Sequence, residues 1–210
     1  MRLFRLRLLF PVILWVLLPL SAFAGPFLDG EAAYERGDYE TAYRLFKPLA
    51  EQGYGGAQYM LGVIYANGKG VTQDYTEAAN WYRKAAEQGV PYAQYALGDM
   101  YYQGQGVQQD YVLAHMWWDV AASRYPKELP TDQREESIRK RDLVASKMTP
   151  AQIDKAQRLA QKWIEKNSPE GFFSQYLGEV LKKLRSRIGP YLFIFLLFSF
   201  FYLFFILLRP

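Results

Sequence analysis

Side chains able to do acid–base or metal chemistry are few and isolated in this sequence of 210 residues. The single histidine, His115, lies between Ala114 and Met116, which supply neither an acid–base partner nor a second metal ligand. Glu135 and Glu136 fall in a run of mixed charge, which is the usual pattern of a solvated helix surface. The sequence therefore predicts no catalytic, cofactor-binding or metal-binding residue, and a protein that is not an enzyme.

Two further kinds of site lack the residues that they need. There is no cysteine, so the chain has no thiol nucleophile and no disulfide. Between residues 25 and 170 there are 17 basic and 20 acidic residues, whereas a nucleic-acid-binding domain needs a basic face. The formal net charge of +4 comes from the two ends of the chain, and no nucleic-acid partner is predicted.

An internal repeat decides the predicted architecture. Residues 50–85 recur 36 positions later, at 86–121, and a partial earlier copy begins at Gly37. The shared motifs are Ala-Glu-Gln-Gly, Ala-Gln-Tyr-x-Leu-Gly-x-x-Tyr, Gly-x-Gly-Val-x-Gln-Asp-Tyr and Ala-x-x-Trp. Their small and apolar positions recur at helical spacing, which predicts a helix–turn–helix in each copy.

Local signals place the ends of these helices. Gly68 and Gly70 suit the positive-φ residues that end the first helix. Asp74 and Asp110 are predicted N-caps of the second helices, and Glu77 would complete a capping box with Asp74.

Packing roles follow from the same alignment of the two copies. Gly62 and Gly98 are expected to let a neighbouring backbone approach, with Trp81 and Trp117 filling the space between layers. His115 aligns with an alanine in the earlier copy, so we expect a partly exposed packing residue there.

Together these motifs resemble the Sel1-like repeat family, a relative of the tetratricopeptide repeats. The resemblance implies an all-α, right-handed α-solenoid whose members act as adaptors in protein complexes. We expect the solenoid over residues 25–123, as a partial first unit and two clear units. Helices over Thr131–Lys147 and Pro150–Lys166 would then form a capping region at 124–168.

Both ends of the chain are apolar. Residues 1–24 combine three arginines, an apolar run and a small-residue cleavage pattern, which is typical of a bacterial signal peptide; an uncleaved signal anchor is the alternative. Tyr191–Leu208 is uncharged and about 27 Å long as a helix, near the lower limit for a transmembrane span. A buried helix is the alternative for that segment.

A basic amphipathic segment is predicted between these parts, at residues 169–190. Its cations would contact anionic lipid headgroups, although an ordinary solvated linker is the alternative; they are Lys182, Lys183, Arg185 and Arg187. In an exported chain this cluster lies on the outer side of the span, against the positive-inside tendency. The sequence therefore determines the orientation of the chain in the membrane less strictly than it determines the signal peptide or the span.

Positions that differ between the two copies suggest a binding surface, because identical positions are expected in the core. Helical spacing groups the differing positions of the first helices on one stripe. The predicted protein-binding residues are Met60, Val63, Asn67, Asp99, Tyr102 and Gln103. Drift at exposed positions is the alternative.

These patterns predict a periplasmic domain, anchored in the bacterial inner membrane by Tyr191–Leu208, that acts as a protein–protein interaction scaffold or adaptor. Its expected partners are a protein or peptide and the membrane, with no cofactor, metal or nucleic acid. The alternative is a structural or assembly subunit of an inner-membrane complex, acting through the C-terminal tail. An enzyme acting on cell-wall material would require acidic residues that converge in a pocket.

Overall fold

The computed structural model describes residues 25–125, 132–168, 171, 177–179 and 182–183. Within these residues the secondary structure is helical, without strands. Helix α1 occupies 25–35, and the helices that follow are α2 (Tyr39–Glu51), α3 (Gly55–Asn67), α4 (Tyr75–Glu87), α5 (Pro91–Gln103), α6 (Tyr111–Arg124), α7 (Asp132–Ala145) and α8 (Pro150–Lys166).

The predicted signal peptide and the predicted span, Tyr191–Leu208, lie outside the described residues. Among the helices that are described, none combines the length and the apolar character needed to cross a bilayer.

From α2 to α7, each helix packs mainly against the helices before and after it in the chain. The two copies of the sequence repeat form the pairs α3–α4 and α5–α6. Such nearest-neighbour packing is the arrangement of a helical solenoid. The prediction of an all-helical repeat solenoid is therefore confirmed.

The second helix of each copy begins at the predicted cap. The Asp74 carboxylate accepts hydrogen bonds from the backbone N–H groups of Thr76 and Glu77, at 2.8 and 3.0 Å. At the start of α6, the Asp110 carboxylate accepts a hydrogen bond from the backbone N–H of Leu113, at 3.0 Å. The backbone N–H of Asp74 donates to the carbonyl of Tyr65. It is therefore already used and is not available to the Glu77 side chain, which would have completed the expected capping box.

The glycine turn between the two helices of a copy also contacts the preceding copy. Gly106 has a φ of 66°, and a Cβ placed there would lie 2.0 Å from the carbonyl oxygen of Tyr75. Gly70 makes the equivalent approach to the backbone of Tyr39. These close backbone contacts at the start of α2 and α4 require glycine and join consecutive units.

The repeated glutamines bridge successive units. Buried Gln58 and Gln94 donate from Nε2 to the carbonyls of Ala50 and Ala86, at 3.1 and 3.0 Å. Each of these carbonyls lies in the last turn of the preceding helix, where backbone acceptors lack partners within the helix. The Ala-Gln-Tyr motif therefore joins each first helix to the helix before it.

The helix glycines have a different packing partner from the one expected. A Cβ on Gly62 would lie 2.4 Å from Tyr82, and one on Gly98 would lie 2.7 Å from Trp118. The close neighbour is thus an aromatic ring one residue after Trp81 or Trp117. The expectation for His115 was also wrong: its side chain is only 3% exposed, because α7 packs against this helix.

Beyond the repeats, α7 packs on α6, and Val144 joins Ala114 and Trp118 in a buried cluster. Helix α8 begins at a complete capping box. The Thr149 N–H donates to Gln152 Oε1 at 2.8 Å, and the Gln152 N–H donates to Thr149 Oγ1 at 3.3 Å. The spacing of threonine and glutamine three residues apart, before an apolar helical face, is the sequence pattern typical of this cap.

Candidate protein-binding cleft

A cleft of about 540 Å³ lies between α3, α5 and α7. Tyrosines from the two repeat helices line one side, and polar residues of α7 line the other. The aromatic and charged residues of the lining are Tyr59, Tyr92, Tyr95, Asp99, Asp132, Glu136 and Arg139. A cleft of this size can enclose a side chain together with part of its backbone.

Two tyrosines of the cleft lining, Tyr59 and Tyr92, belong to a row of rings that continues into the buried Tyr82 and Tyr125. The Tyr59 ring centroid lies 5.9 Å from those of Tyr82 and Tyr92, and Tyr92 lies 5.5 Å from Tyr125. Tyr92 is 46% exposed, whereas burial raises the pKa of Tyr59 above its usual range. Neutral phenol rings that are only partly covered offer both an apolar face and a hydrogen-bonding group.

Lys140 of α7 is bound by two residues of the cleft lining, Asp99 and Tyr95. Its Nζ donates to both Asp99 carboxylate oxygens, at 2.7 and 2.8 Å, and lies 4.4 Å from the Tyr95 ring centroid. The indole N–H of Trp118 also donates to Asp99, at 3.2 Å. Burial raises the pKa of Asp99 in spite of these bonds. Burial acts to lower the pKa of Lys140, but the hydrogen bonds to Asp99 and Tyr95 outweigh it, so the pKa of Lys140 is raised.

The α7 side of the cleft carries exposed charge. Arg139 donates from Nε to Glu136 at 3.0 Å, and its guanidinium also pairs with Glu135 at 3.7 Å. Asp132 lies in the first turn of the same helix. Two of the three cleft carboxylates, Asp99 and Glu136, are therefore already engaged in ion pairs within the chain.

The described residues hold no cluster of histidine, cysteine or carboxylate side chains that could bind a metal ion. His115 lies on α6 and is not part of the cleft lining. Its Nδ1 atom is buried, with no hydrogen-bond partner in the part of the chain that is described.

The six predicted protein-binding residues have different surroundings in the structure. Asp99 lines the cleft, and Tyr102 packs against Tyr111, with its hydroxyl bonded to Lys147. In the earlier copy, Met60 packs against the core, and Asn67 donates to the carbonyl of Val63. Gln103 is exposed. None of the six is fully buried, and their role in binding stays a prediction.

The predicted membrane-surface residues fall partly outside the structure. Lys182 and Lys183 are exposed, whereas Arg185 and Arg187 lie beyond the described residues.

The sequence patterns did not single out the tyrosines of the cleft. Tyr59 and Tyr95 are identical in the two copies, and identical positions were assigned to the core. Their signal lies in their chemistry, because tyrosine is seldom fully buried without a partner for its hydroxyl. The contribution of α7 carries no repeat signal, because that helix lies beyond the two aligned copies.

Comparison with known families identifies this architecture. The Sel1 repeat model matches residues 25–54, 56–90 and 91–125. The chain contains three Sel1 repeats. They correspond to α1–α2, α3–α4 and α5–α6, which confirms the predicted Sel1-like family. The Sel1 repeat is generally a non-catalytic fold that mediates protein–protein interactions, and it therefore suggests a scaffold.

Two solved structures resemble these Sel1 repeats. One is a protective antigen present in uropathogenic Escherichia coli strains, which displays an SLR fold. It is 34% identical with a TM-score of 0.63, and the match covers 73% of this chain and 32% of that one. The other is a Sel1 repeat protein from Oxalobacter formigenes, 27% identical with a TM-score of 0.51, covering 65% of this chain and 55% of that one.

The matched region therefore spans about a third of the first solved structure and about half of the second. A comparison with curated protein sequences gives no match.

Proposed function

We propose that this chain is a scaffold that binds a partner protein in the concave surface formed by its first helices, with the cleft between α3, α5 and α7 as the main contact. The observation that carries this proposal is the group of tyrosines that lines the cleft, Tyr59, Tyr92 and Tyr95, of which Tyr92 is exposed. Tyrosine is enriched at protein interfaces because its ring buries much surface at a low entropic cost.

In this proposal the scaffold is exported and anchored in the bacterial inner membrane. The support is the sequence of the two ends: a signal-peptide pattern at residues 1–24 and an uncharged apolar segment at Tyr191–Leu208. Lys182 and Lys183 would then lie close to the headgroups. Anchoring would keep the cleft near partners in or beside the membrane.

Site-specific photo-crosslinking in cells tests the cleft. A photoreactive phenylalanine in place of Tyr92 is expected to give discrete crosslinked products in the membrane fraction. The same group in place of Glu87, an exposed residue outside the cleft lining, is the matched control and should give none of these products. Identical products from both positions would contradict binding in the cleft.

The apolar tail supports a second candidate, a structural or assembly subunit of a membrane complex that acts through Tyr191–Leu208. Deletion of residues 191–210 separates the two functions. The scaffold should still form the Tyr92 crosslink when the partner is supplied, whereas an assembly subunit should lose its partner together with the tail.

A further inference from the structure

We infer that the cleft between α3, α5 and α7 accepts an arginine side chain from an extended segment of the partner protein. This inference rests on the proposed function and adds the chemistry of the partner. It depends on three observations among the described residues: an internal cation held by two residues of the cleft lining, a partly exposed tyrosine pair in the same lining, and a lining carboxylate that forms no ion pair there.

The internal cation shows what this surface binds. The Lys140 ammonium group is held by a carboxylate, that of Asp99, and by the face of a tyrosine ring, that of Tyr95. An ammonium group over an aromatic face is attracted by the ring quadrupole, and the carboxylate adds a charge-assisted hydrogen bond. A carboxylate and a tyrosine ring of the cleft lining therefore already bind one cation, and a cation of a partner protein would use the same two kinds of group.

The open part of the cleft repeats the aromatic half of that site. Tyr59 is the counterpart of Tyr95 in the preceding copy, and its ring lies 5.9 Å from that of Tyr92 at an interplanar angle of 38°. Within the described chain, neither of these two rings has a cation over it. Tyr92 is 46% exposed, so a ligand can reach the pair from solvent.

The second component of a cation site is negative charge, and the cleft carboxylates supply it. The cleft carboxylates are Asp99, Asp132 and Glu136; Lys140 pairs with the first, and Arg139 pairs with the last. Asp132 has no ion pair within the described ranges. Arg139 also interacts electrostatically with Asp132, without an ion pair between them. Among the described residues, the three cleft carboxylates therefore face two cations, Arg139 and Lys140, and the remaining negative charge favours a cationic ligand.

Arginine fits this geometry better than lysine. A planar guanidinium can stack on a tyrosine ring while its N–H groups donate to a carboxylate. The ammonium of lysine is a compact, strongly hydrated charge that cannot stack in this way. The volume of about 540 Å³ leaves room for the flanking backbone, so the ligand is expected to be an extended segment and not a free amino acid.

Peptide titration of the purified full chain in detergent tests the inference. The probe is acetyl-Gly-Pro-Arg-Pro-Gly-amide, with versions that carry lysine or citrulline at the centre. Citrulline keeps the shape of arginine without its charge. With 13C-labelled tyrosine rings observed by NMR, we expect the arginine peptide to shift the Tyr59 and Tyr92 signals. The lysine peptide should bind several-fold more weakly and the citrulline peptide at least about tenfold more weakly.

Variants locate the binding site. Tyr92→Leu is expected to weaken binding of the arginine peptide about tenfold, and Asp132→Asn several-fold. Tyr54→Leu and Asp154→Asn are the matched controls, because Tyr54 is 39% exposed and neither residue lines the cleft. Both controls should keep the wild-type affinity, and circular dichroism verifies that every variant is folded.

Two results would overturn the inference. Equal affinity for the arginine and citrulline peptides would show that charge is not recognised. No binding of the arginine peptide, with the Tyr92 crosslink to a partner still present, would reject arginine and leave the scaffold function intact. Loss of that crosslink as well would reject both.

Discussion

The two copies of the repeat share one backbone plan but have different neighbours. At the position where α3 has Val63, α5 has Asp99, and where α3 has Ala66, α5 has Tyr102. Asp99 and Tyr102 both contact lysines contributed by α7 or the turn that follows it. The copy that precedes another repeat therefore has small or apolar residues at positions where the last copy has polar and aromatic groups.

Variation between repeats therefore has more than one cause. Positions that differ can bind an external ligand, or they can receive the helix that ends the array. Asp99 and Tyr102 clearly do the second, because their polar groups are bonded within the chain. A groove predicted from variation alone thus combines ligand-facing positions with positions that cover the end of a solenoid.

The largest expected effect tests what the two copies have in common. Gly62→Val and Gly98→Val would drive a side chain into Tyr82 and Trp118, respectively, at positions where even a Cβ lies within 2.7 Å. We expect each to destabilise the fold by about 3 kcal/mol, the upper end of the overpacking range, measured by thermal unfolding. Gly98→Val should cost more, because Trp118 is held by its bond to Asp99.

Ala66→Val is the matched control for those substitutions. It adds volume in the same helix as Gly62, at a half-buried position where the other copy accommodates Tyr102. Its effect should be within about 0.5 kcal/mol. An unchanged melting temperature in Gly62→Val would reject the close glycine–aromatic packing.

Much of this architecture could be predicted because it depends on local chemistry repeated in the sequence. The glycine turns, the caps at Asp74 and Asp110, and the capping box at Thr149 each follow from a few neighbouring residues. The cleft could not be predicted in the same way. Its lining includes both Tyr59 and Glu136, which belongs to a helix outside the repeat and is 77 positions away in the sequence, and no local pattern specifies that arrangement.

The next effect tests what distinguishes the last copy. Lys140→Met would leave the Asp99 carboxylate, with only 26% of its side chain exposed, without its ion-pair partner. Removing one member of a buried pair costs more than the pair contributes, and solvent reduces that cost at a partly exposed site. We expect a loss of about 2 kcal/mol, measured by denaturant unfolding.

Arg139→Met is the matched control on the same helix. Arg139 pairs with Glu135 and Glu136 at the surface, where 61% of its side chain is exposed. Exposed ion pairs contribute little to stability, so the variant should unfold close to the wild type. Equal losses in the two variants would show that the Asp99 contact does not specifically join α7 to the last copy.

The smallest expected effect is the pH dependence of stability that comes from His115, whose counterpart in the earlier copy is Ala79. Burial lowers the pKa of His115, and the charges around it come from Asp119, Arg141 and Asp142. As the pH falls below about 6.5, the unfolded chain binds a proton at this histidine before the folded chain does. The free energy of unfolding therefore decreases towards acidic pH, by at most about 1.4 kcal/mol per pH unit. His115→Gln should remove this part of the pH dependence in denaturant unfolding between pH 7.5 and 5. Carboxylates common to both proteins cancel in the comparison, and identical pH profiles would mean that His115 titrates normally in the folded chain.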